Sequence, residues 1–142
     1  MHAGGRCRIV ADPPVEQSTE LDRAGKARGL DHIQIMTPLN SEKRLQEIAG
    51  AASGFLYCVA RKGVTGHVTD FNQELAGYMQ RCRAVTKLPL ALGFGIKTSN
   101  QIKTLKGVTD IAIIGTACLE VWEQQGVDGF RKYLLEMSQA RG

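Results

Sequence analysis

This chain of 142 residues lacks the features that mark the most easily recognised protein classes. Aromatic residues make up only 6% of it, and its four cysteines are widely scattered. No cysteine forms a C-x-x-C pair or stands at metal-ligand spacing from a histidine, so the sequence predicts no metal site. The basic residues are dispersed although the formal net charge is +4. Because nucleic-acid binding needs a clustered basic patch with aromatic platforms, we expect a small anionic ligand and no nucleic acid.

Long hydrophobic runs are missing as well. No apolar run approaches the roughly twenty residues that a membrane-spanning helix needs, and the first residues lack the hydrophobic segment of a signal peptide. We therefore expect a cytoplasmic protein with no membrane partner. The hydrophobic fraction of 43% and the charged fraction of 23% are typical of globular proteins, and the length predicts one domain over residues 1–142. Cys58 and Cys118 fall inside apolar runs and are interpreted as core residues.

What the sequence does contain is a repeated alternation of short apolar runs and amphipathic segments. The predicted strands cover residues 7–11, 32–36, 55–60, 90–95 and 111–115. The predicted helices cover residues 15–28, 41–52, 70–86, 98–107, 119–124 and 127–138. This α/β alternation predicts right-handed crossovers and a parallel sheet covered on both faces. The strand count fits an open doubly wound sheet or the last five strands of a (β/α)₈ barrel, and a complete barrel needs roughly 250 residues.

Two strand ends in the second half carry glycine beside a small or hydroxyl residue. Gly93-Phe94-Gly95 ends the fourth predicted strand and Gly115-Thr116 ends the fifth. Glycine leaves backbone N–H groups accessible, so a phosphate could be bound at the start of the following helix. Loops after the last two strands of a barrel often bind phosphate in this way. The alternative is that these glycines only make tight strand-to-helix turns.

Five short motifs follow one another along the chain, namely Asp12-Pro13-Pro14-Val15-Glu16, Gly54-Phe55-Leu56-Tyr57, Arg61-Lys62-Gly63-Val64-Thr65-Gly66, Gly93-Phe94-Gly95-Ile96 and Ile114-Gly115-Thr116-Ala117. With these motifs, the chain resembles the α subunit of tryptophan synthase from about residue 9 to the C-terminus. Each motif is weak alone, but their order and spacing together are specific.

The resemblance implies a partial (β/α)₈ TIM barrel in which this chain supplies strands four to eight, about five parallel strands, with their covering helices. The family cleaves indole-3-glycerol phosphate into indole and glyceraldehyde 3-phosphate by a retro-aldol reaction. It passes indole to a β subunit that carries pyridoxal phosphate. The resemblance therefore implies a lyase of tryptophan biosynthesis with a phosphorylated substrate, a β-subunit partner and no cofactor in this chain.

Carried over residue by residue, the resemblance implies a substrate site of three parts. Tyr57 would line the indole-glycerol pocket, and Thr65 would position a catalytic carboxylate. The mobile loop would consist of Arg61, Lys62, Gly63 and Val64. The phosphate would be held by Gly66, Phe94, Gly95, Gly115 and Thr116, the last of which stands where a serine is more usual. Lids of this kind exclude water while chemistry proceeds.

The resemblance also implies that the family's two catalytic carboxylates lie before the matched region, so no residue here is assigned a catalytic role. Asp70 and Glu74 are interpreted as structural, and His32 and His67 as surface or locally bonded. Asp12 ends the first strand on the expected active-site side, but the resemblance implies that it accompanies the missing acid pair and does not replace it. We therefore expect lyase activity only with the missing N-terminal part. The alternatives are a non-catalytic phosphate-binding half-barrel or partner module, and an inactive truncated product.

A sheet of five barrel strands cannot close, which has consequences for the inner face. Side chains such as Ile35, Tyr57 and Ile113 would be half exposed, and both sheet edges would be unpaired. We expect marginal stability alone, self-association through the open edges, or a companion polypeptide with three further strands. An open flavodoxin-like nucleotide binder is disfavoured because Asp12-Pro13-Pro14 stands where its Gly-rich fingerprint would be.

Overall fold

The computed structural model describes residues 6–9, 19–60, 73–93 and 95–140, and within them five strands alternate with five helices. In chain order they are β1 Cys7–Ile9, α1 Thr19–Lys26, β2 Asp31–Met36, α2 Glu42–Ala51, β3 Leu56–Val59, α3 Gln73–Val85, β4 Leu90–Gly93, α4 Ser99–Thr104, β5 Ile111–Ile113 and α5 Thr116–Gln139. All five predicted strands are confirmed, although β3, β4 and β5 are shorter than predicted.

The strands form one parallel sheet in the order β1-β2-β3-β4-β5. Each strand therefore pairs with the next one along the chain. A doubly wound sheet would instead reverse its strand order at a switch point. Sequential order is the arrangement of a barrel segment, so the partial barrel is confirmed and the open doubly wound alternative is wrong.

The hydrophobic core lies between one face of the sheet and the helices. Side chains alternate along a strand, and those on this face are fully buried, namely Met36, Leu56, Cys58, Leu90 and Leu92. The helices α2 and α3 contribute Leu45, Ile48, Leu75, Tyr78, Met79 and Cys82. Burying a leucine side chain contributes about 1.5–3 kcal/mol, so this layer stabilises the sheet against its helices. Cys58 is thus a core residue as predicted, and Cys118 is half-buried.

The opposite face of the sheet, which we call the inner face, is apolar but partly exposed. Ile35, Tyr57 and Ile113 are each half-buried, as expected for an unclosed barrel. At the two edges, Ile9 is 48% exposed and Ile111 is 39% exposed. The expectation of cover on both faces is wrong for this face, since the core formed with α2, α3 and α4 lies on the other. In a closed barrel, side chains from all strands fill this space.

Local signals in the sequence set the helix ends. Thr98 forms the predicted capping box with Gln101, whose side-chain oxygen accepts the Thr98 N–H at 3.1 Å. Gly126, with φ 64° and ψ −160°, divides α5 into the two predicted helices. The first of these begins at Thr116, whereas the sequence predicted residue 119. The prediction was late because Thr116 and Ala117 carry little hydrophobic periodicity. In the part of the chain that the structure describes, no helix has the length and apolarity to cross a membrane.

Candidate phosphate-binding site

Two glycines leave the sheet side by side at the carboxyl ends of β4 and β5. Gly93 pairs with Ile113, and Gly95 and Gly115 each follow two residues later. Adjacent parallel strands lie about 4.8 Å apart, so the two chain segments start from neighbouring positions. Both glycines are exposed, and a Cβ on either would meet no heavy atom within 4 Å. The space beside both backbones is therefore open to a ligand.

Gly95 adopts a backbone conformation that few other residues tolerate. Its φ is +78°, in the left-handed region that favours glycine. The next residue, Ile96, is 1% exposed and belongs to the core. The turn at Gly95 thus anchors the chain through Ile96 while keeping the Gly95 backbone at the surface.

Gly115 is the N-cap of α5, and among the described residues no side-chain hydrogen bond caps this helix end. The Gly115 carbonyl accepts the N–H of Cys118 at 2.9 Å, so helical bonding begins at once. The first N–H groups of a helix have no partner within the helix, and the positive end of its dipole favours an anion there. Up to the Gly126 kink, the helix is the kind of short extra helix whose N-terminus often binds phosphate in barrels.

Tyr57 approaches the same edge across the inner face. It pairs with Ala91, and Gly93 lies two residues further along β4. A Cβ on Gly93 would come within 2.9 Å of the Tyr57 Cζ and still closer to its hydroxyl oxygen. The tyrosine ring therefore lies over Gly93, and its hydroxyl is directed towards the edge that carries Gly95 and Gly115.

This role of Gly93 was missed by sequence reasoning, which interpreted it only as a strand-ending glycine. The signal was present in principle, since Ala91 and Gly93 are small residues at alternating positions of one strand. It could be used only with the register of β3 against β4, because the register brings these residues beside Tyr57.

The structure thus brings four predicted substrate-binding residues to one edge of the sheet, namely Tyr57, Gly95, Gly115 and Thr116. The other predicted site residues lie outside the described residues, and they are Arg61, Lys62, Gly63, Val64, Thr65, Gly66 and Phe94. Asp12, His67 and Asp70 also lie outside them. The roles of these residues stay predictions.

His32, Cys58 and Cys82 are buried, and their surroundings are structural. His32 is 3% exposed, and its ring Nε2 lies 3.1 Å from the Gln34 side-chain nitrogen, so it is locally bonded as interpreted. The hydrogen bond with Cys82, followed by burial, raises the pKa of the Cys58 thiol above its ordinary value and keeps it protonated. Over the described ranges, no three His, Cys, Asp or Glu side chains gather as metal ligands.

Comparison with known proteins gives one consistent family. The family model for the tryptophan synthase alpha chain matches residues 2–139. A tryptophan synthase alpha chain from Desulforapulum autotrophicum is 44% identical over 130 residues, which is 92% of this chain and 51% of that relative. One from Syntrophotalea carbinolica is 41% identical over 126 residues, which is 89% of this chain and 50% of that relative.

Solved structures show the same fold. A tryptophan synthase complex from Pyrococcus furiosus superposes with a TM-score of 0.83 at 18% identity, covering 96% of this chain and 55% of that one. A Mycobacterium tuberculosis tryptophan synthase gives a TM-score of 0.82 at 24% identity, covering 93% and 50%. The chain spans about half the length of the relatives it matches.

Proposed function

We propose a function from the premise that this chain belongs to the tryptophan synthase alpha chain family, whose model matches residues 2–139. The chain is the phosphate-binding part of a lyase that cleaves indole-3-glycerol phosphate into indole and glyceraldehyde 3-phosphate. The observation that carries the proposal is the pair of open glycine backbones, Gly95 and Gly115, at the adjoining ends of β4 and β5.

In this proposal, main-chain N–H groups hold the phosphate of the substrate. Donors at the N-terminus of α5 face the anion, and no described side chain competes there as a cap. The Thr116 hydroxyl supplies a further donor, and Tyr57 lines the pocket for the indole-glycerol part. The loop at residues 61–66 closes over the bound substrate, with Gly66 and Phe94 completing the phosphate contacts.

The proton transfers need groups of a different kind. Cleavage requires a proton at indole C3, a base for the glycerol hydroxyl and a carboxylate near the indole N–H. The four site residues that the structure describes offer amides and hydroxyls. We therefore assign the acid-base groups to the βα units that the relatives carry in the half that this chain does not match.

The proposal also assigns a partner. One solved relative comes from a tryptophan synthase α₂β₂ complex of Pyrococcus furiosus that shows mutual activation. By family membership, this chain hands indole to a β subunit, and pyridoxal phosphate belongs to that subunit rather than to this chain.

Titration with glycerol 3-phosphate tests the phosphate site in the chain itself. In a ¹⁵N-labelled sample, the amide signals of Gly95, Gly115 and Thr116 should shift saturably as the ligand is added. Gly115→Val should weaken binding at least about tenfold, because the valine side chain would fill the open space and move the anion away from at least one backbone N–H, and a lost charge-assisted hydrogen bond costs about 1.5–3 kcal/mol.

The matched control is Gly50→Val. Gly50 is also exposed, and a Cβ there meets nothing within 4 Å, but it lies in α2. The control should bind glycerol 3-phosphate like the unchanged chain. Equal affinity of the Gly115→Val variant and the unchanged chain would refute the proposed site.

A further inference from the structure

The two backbone segments of the proposed phosphate site separate where the β4–β5 ladder ends. The last paired residues are Gly93 and Ile113, so sheet hydrogen bonds do not fix Gly95 relative to Gly115. Other contacts must set that separation. They come from side chains that flank the two segments.

Lys97, two residues after Gly95, connects this segment to α5 through an ion pair. Its Nζ lies 2.9 Å and 2.8 Å from the two carboxylate oxygens of Glu120, which is in the helical segment that begins after Gly115. The Lys97 N–H donates to the Gln101 side-chain oxygen at 2.8 Å. The lysine is therefore held both at its backbone and at its charged end.

The second segment of α5, beyond the Gly126 kink, holds the same loop. The Tyr133 hydroxyl donates to the Lys97 carbonyl at 3.2 Å. The Ser99 hydroxyl donates to Glu136 at 2.7 Å. The loop after β4 thus contacts α5 on both sides of the kink.

We propose that Lys97 and Glu120 are positioning residues that set the distance between the Gly95 loop and the N-terminus of α5. This inference rests on the proposed function, since it concerns the same phosphate. Lys97 is 46% exposed and Glu120 is 42% exposed, and exposed ion pairs contribute little to folding stability. Small displacements of binding groups, in contrast, can weaken binding strongly.

A direct role for Lys97 predicts a different result. If its ammonium bound the phosphate, Glu120 would compete for it, and Glu120→Gln would leave binding equal or tighter. In the positioning role, Glu120→Gln weakens binding because the loop loses its anchor. Whether Glu120→Gln weakens binding therefore distinguishes the two roles.

The experiment measures the dissociation constant of glycerol 3-phosphate for the unchanged chain, Lys97→Met, Glu120→Gln and the exchanged pair Lys97→Glu with Glu120→Lys. Each single variant should bind about fivefold more weakly, and the exchanged pair should bind within about twofold of the unchanged chain. Melting temperatures should agree within about 2 °C, as expected for exposed positions. Tyr133→Phe leaves every charge in place and should also weaken binding, about twofold.

Equal or tighter binding by Glu120→Gln overturns the inference, and so does an exchanged pair as weak as the single variants. If the exchanged pair fails to fold, Glu120→Gln and Tyr133→Phe decide the matter, and unchanged affinity in either variant overturns the inference. Failure of the proposed function is distinct, because the unchanged chain would then show no saturable shifts at Gly95 and Gly115.

Discussion

At the scale of single residues, Tyr57 and Gly93 depend on each other across the β3–β4 ladder. The tyrosine ring lies over the glycine, where a Cβ would come within 2.9 Å of the ring carbon Cζ. A larger residue at position 93 would therefore clash with the Tyr57 ring, so Gly93 does more than end a strand. This contact determines how far the Tyr57 hydroxyl reaches towards the proposed phosphate site.

Gly93→Ala should destabilise the chain by about 1–3 kcal/mol through overpacking, measured by urea denaturation. In a Tyr57→Ala background, the same change should cost much less because the clashing ring is gone. Gly77→Ala in α3 is the control, since a Cβ there meets nothing within 4 Å. Equal costs of Gly93→Ala in both backgrounds would contradict this interdependence of the two residues.

Motifs could predict which glycines flank the site, but not how side chains meet across strands. Gly95 and Gly115 follow β-rich runs, and that is a local feature of the sequence. The Tyr57–Gly93 contact depends on register, which relates residues that are far apart in the chain. The Lys97–Glu120 pair was also unpredictable, because it joins a loop and a helix that are 23 residues apart in the chain.

At the scale of elements, Asp110 joins the amino ends of β4 and β5 to α3. One Asp110 carboxylate oxygen accepts the Leu90 N–H at 2.7 Å and also binds the Arg83 guanidinium. Burial alone would raise the pKa of this carboxyl, but the hydrogen bonds from Leu90 and Arg83 hold it below its ordinary value. We expect this end of the sheet to contribute to stability rather than to binding, because the proposed phosphate site is at the opposite end.

Asp110→Asn should therefore lower stability in a pH-dependent way. Because the pKa of Asp110 is lower in the folded than in the unfolded chain, its charged form stabilises the fold. This stabilisation is complete above the unfolded-state pKa of about 3.9 and is lost as the pH falls through the lower folded-state pKa. Since Asp110 is 48% exposed, we expect a loss of only about 1 kcal/mol at neutral pH. Urea denaturation at neutral and strongly acidic pH measures it, with the exposed Asp128→Asn as control. A loss that is the same at both pH values would contradict the expectation.

The element types were predictable from apolar periodicity, and the Thr98 capping box from its spacing to Gln101. The start of α5 was not, because Thr116 and Ala117 add no apolar stripe. The kink at Gly126 agrees with the predicted separation of the last two helices. Boundaries were therefore least predictable where helical bonding, rather than side-chain pattern, sets the first turn.

At the scale of the whole molecule, the inner face is the feature that most needs a partner. It carries Ile35, Tyr57, Ile111 and Ile113 in partly exposed positions, although these are types that barrels bury. The chain spans about half the length of its relatives, and we expect the other βα units of a complete barrel to cover this face. The sequence could predict this incompleteness from strand count and length, because closure depends on the number of strands.

Ile111→Lys tests whether this face is covered when the barrel is complete. Ile111 is 39% exposed, so the change should alter the stability of the isolated chain by less than about 1 kcal/mol. It should abolish association with separately expressed N-terminal βα units from the Desulforapulum autotrophicum relative, because it would bury an unpaired charge. Leu39→Lys, at a 74% exposed position, is the control and should associate normally. Association that survives Ile111→Lys would show that the inner face is not the interface.

Our central claim is a division of labour in which this chain binds the substrate and the other βα units of the family transfer the protons. Indole release from indole-3-glycerol phosphate tests this division most directly. The assay compares this chain alone, the N-terminal βα units of the same relative alone, and the two mixed. We predict release only from the mixture, and loss of that release when the mixture contains Gly115→Val. Sustained indole release by this chain alone would contradict the division.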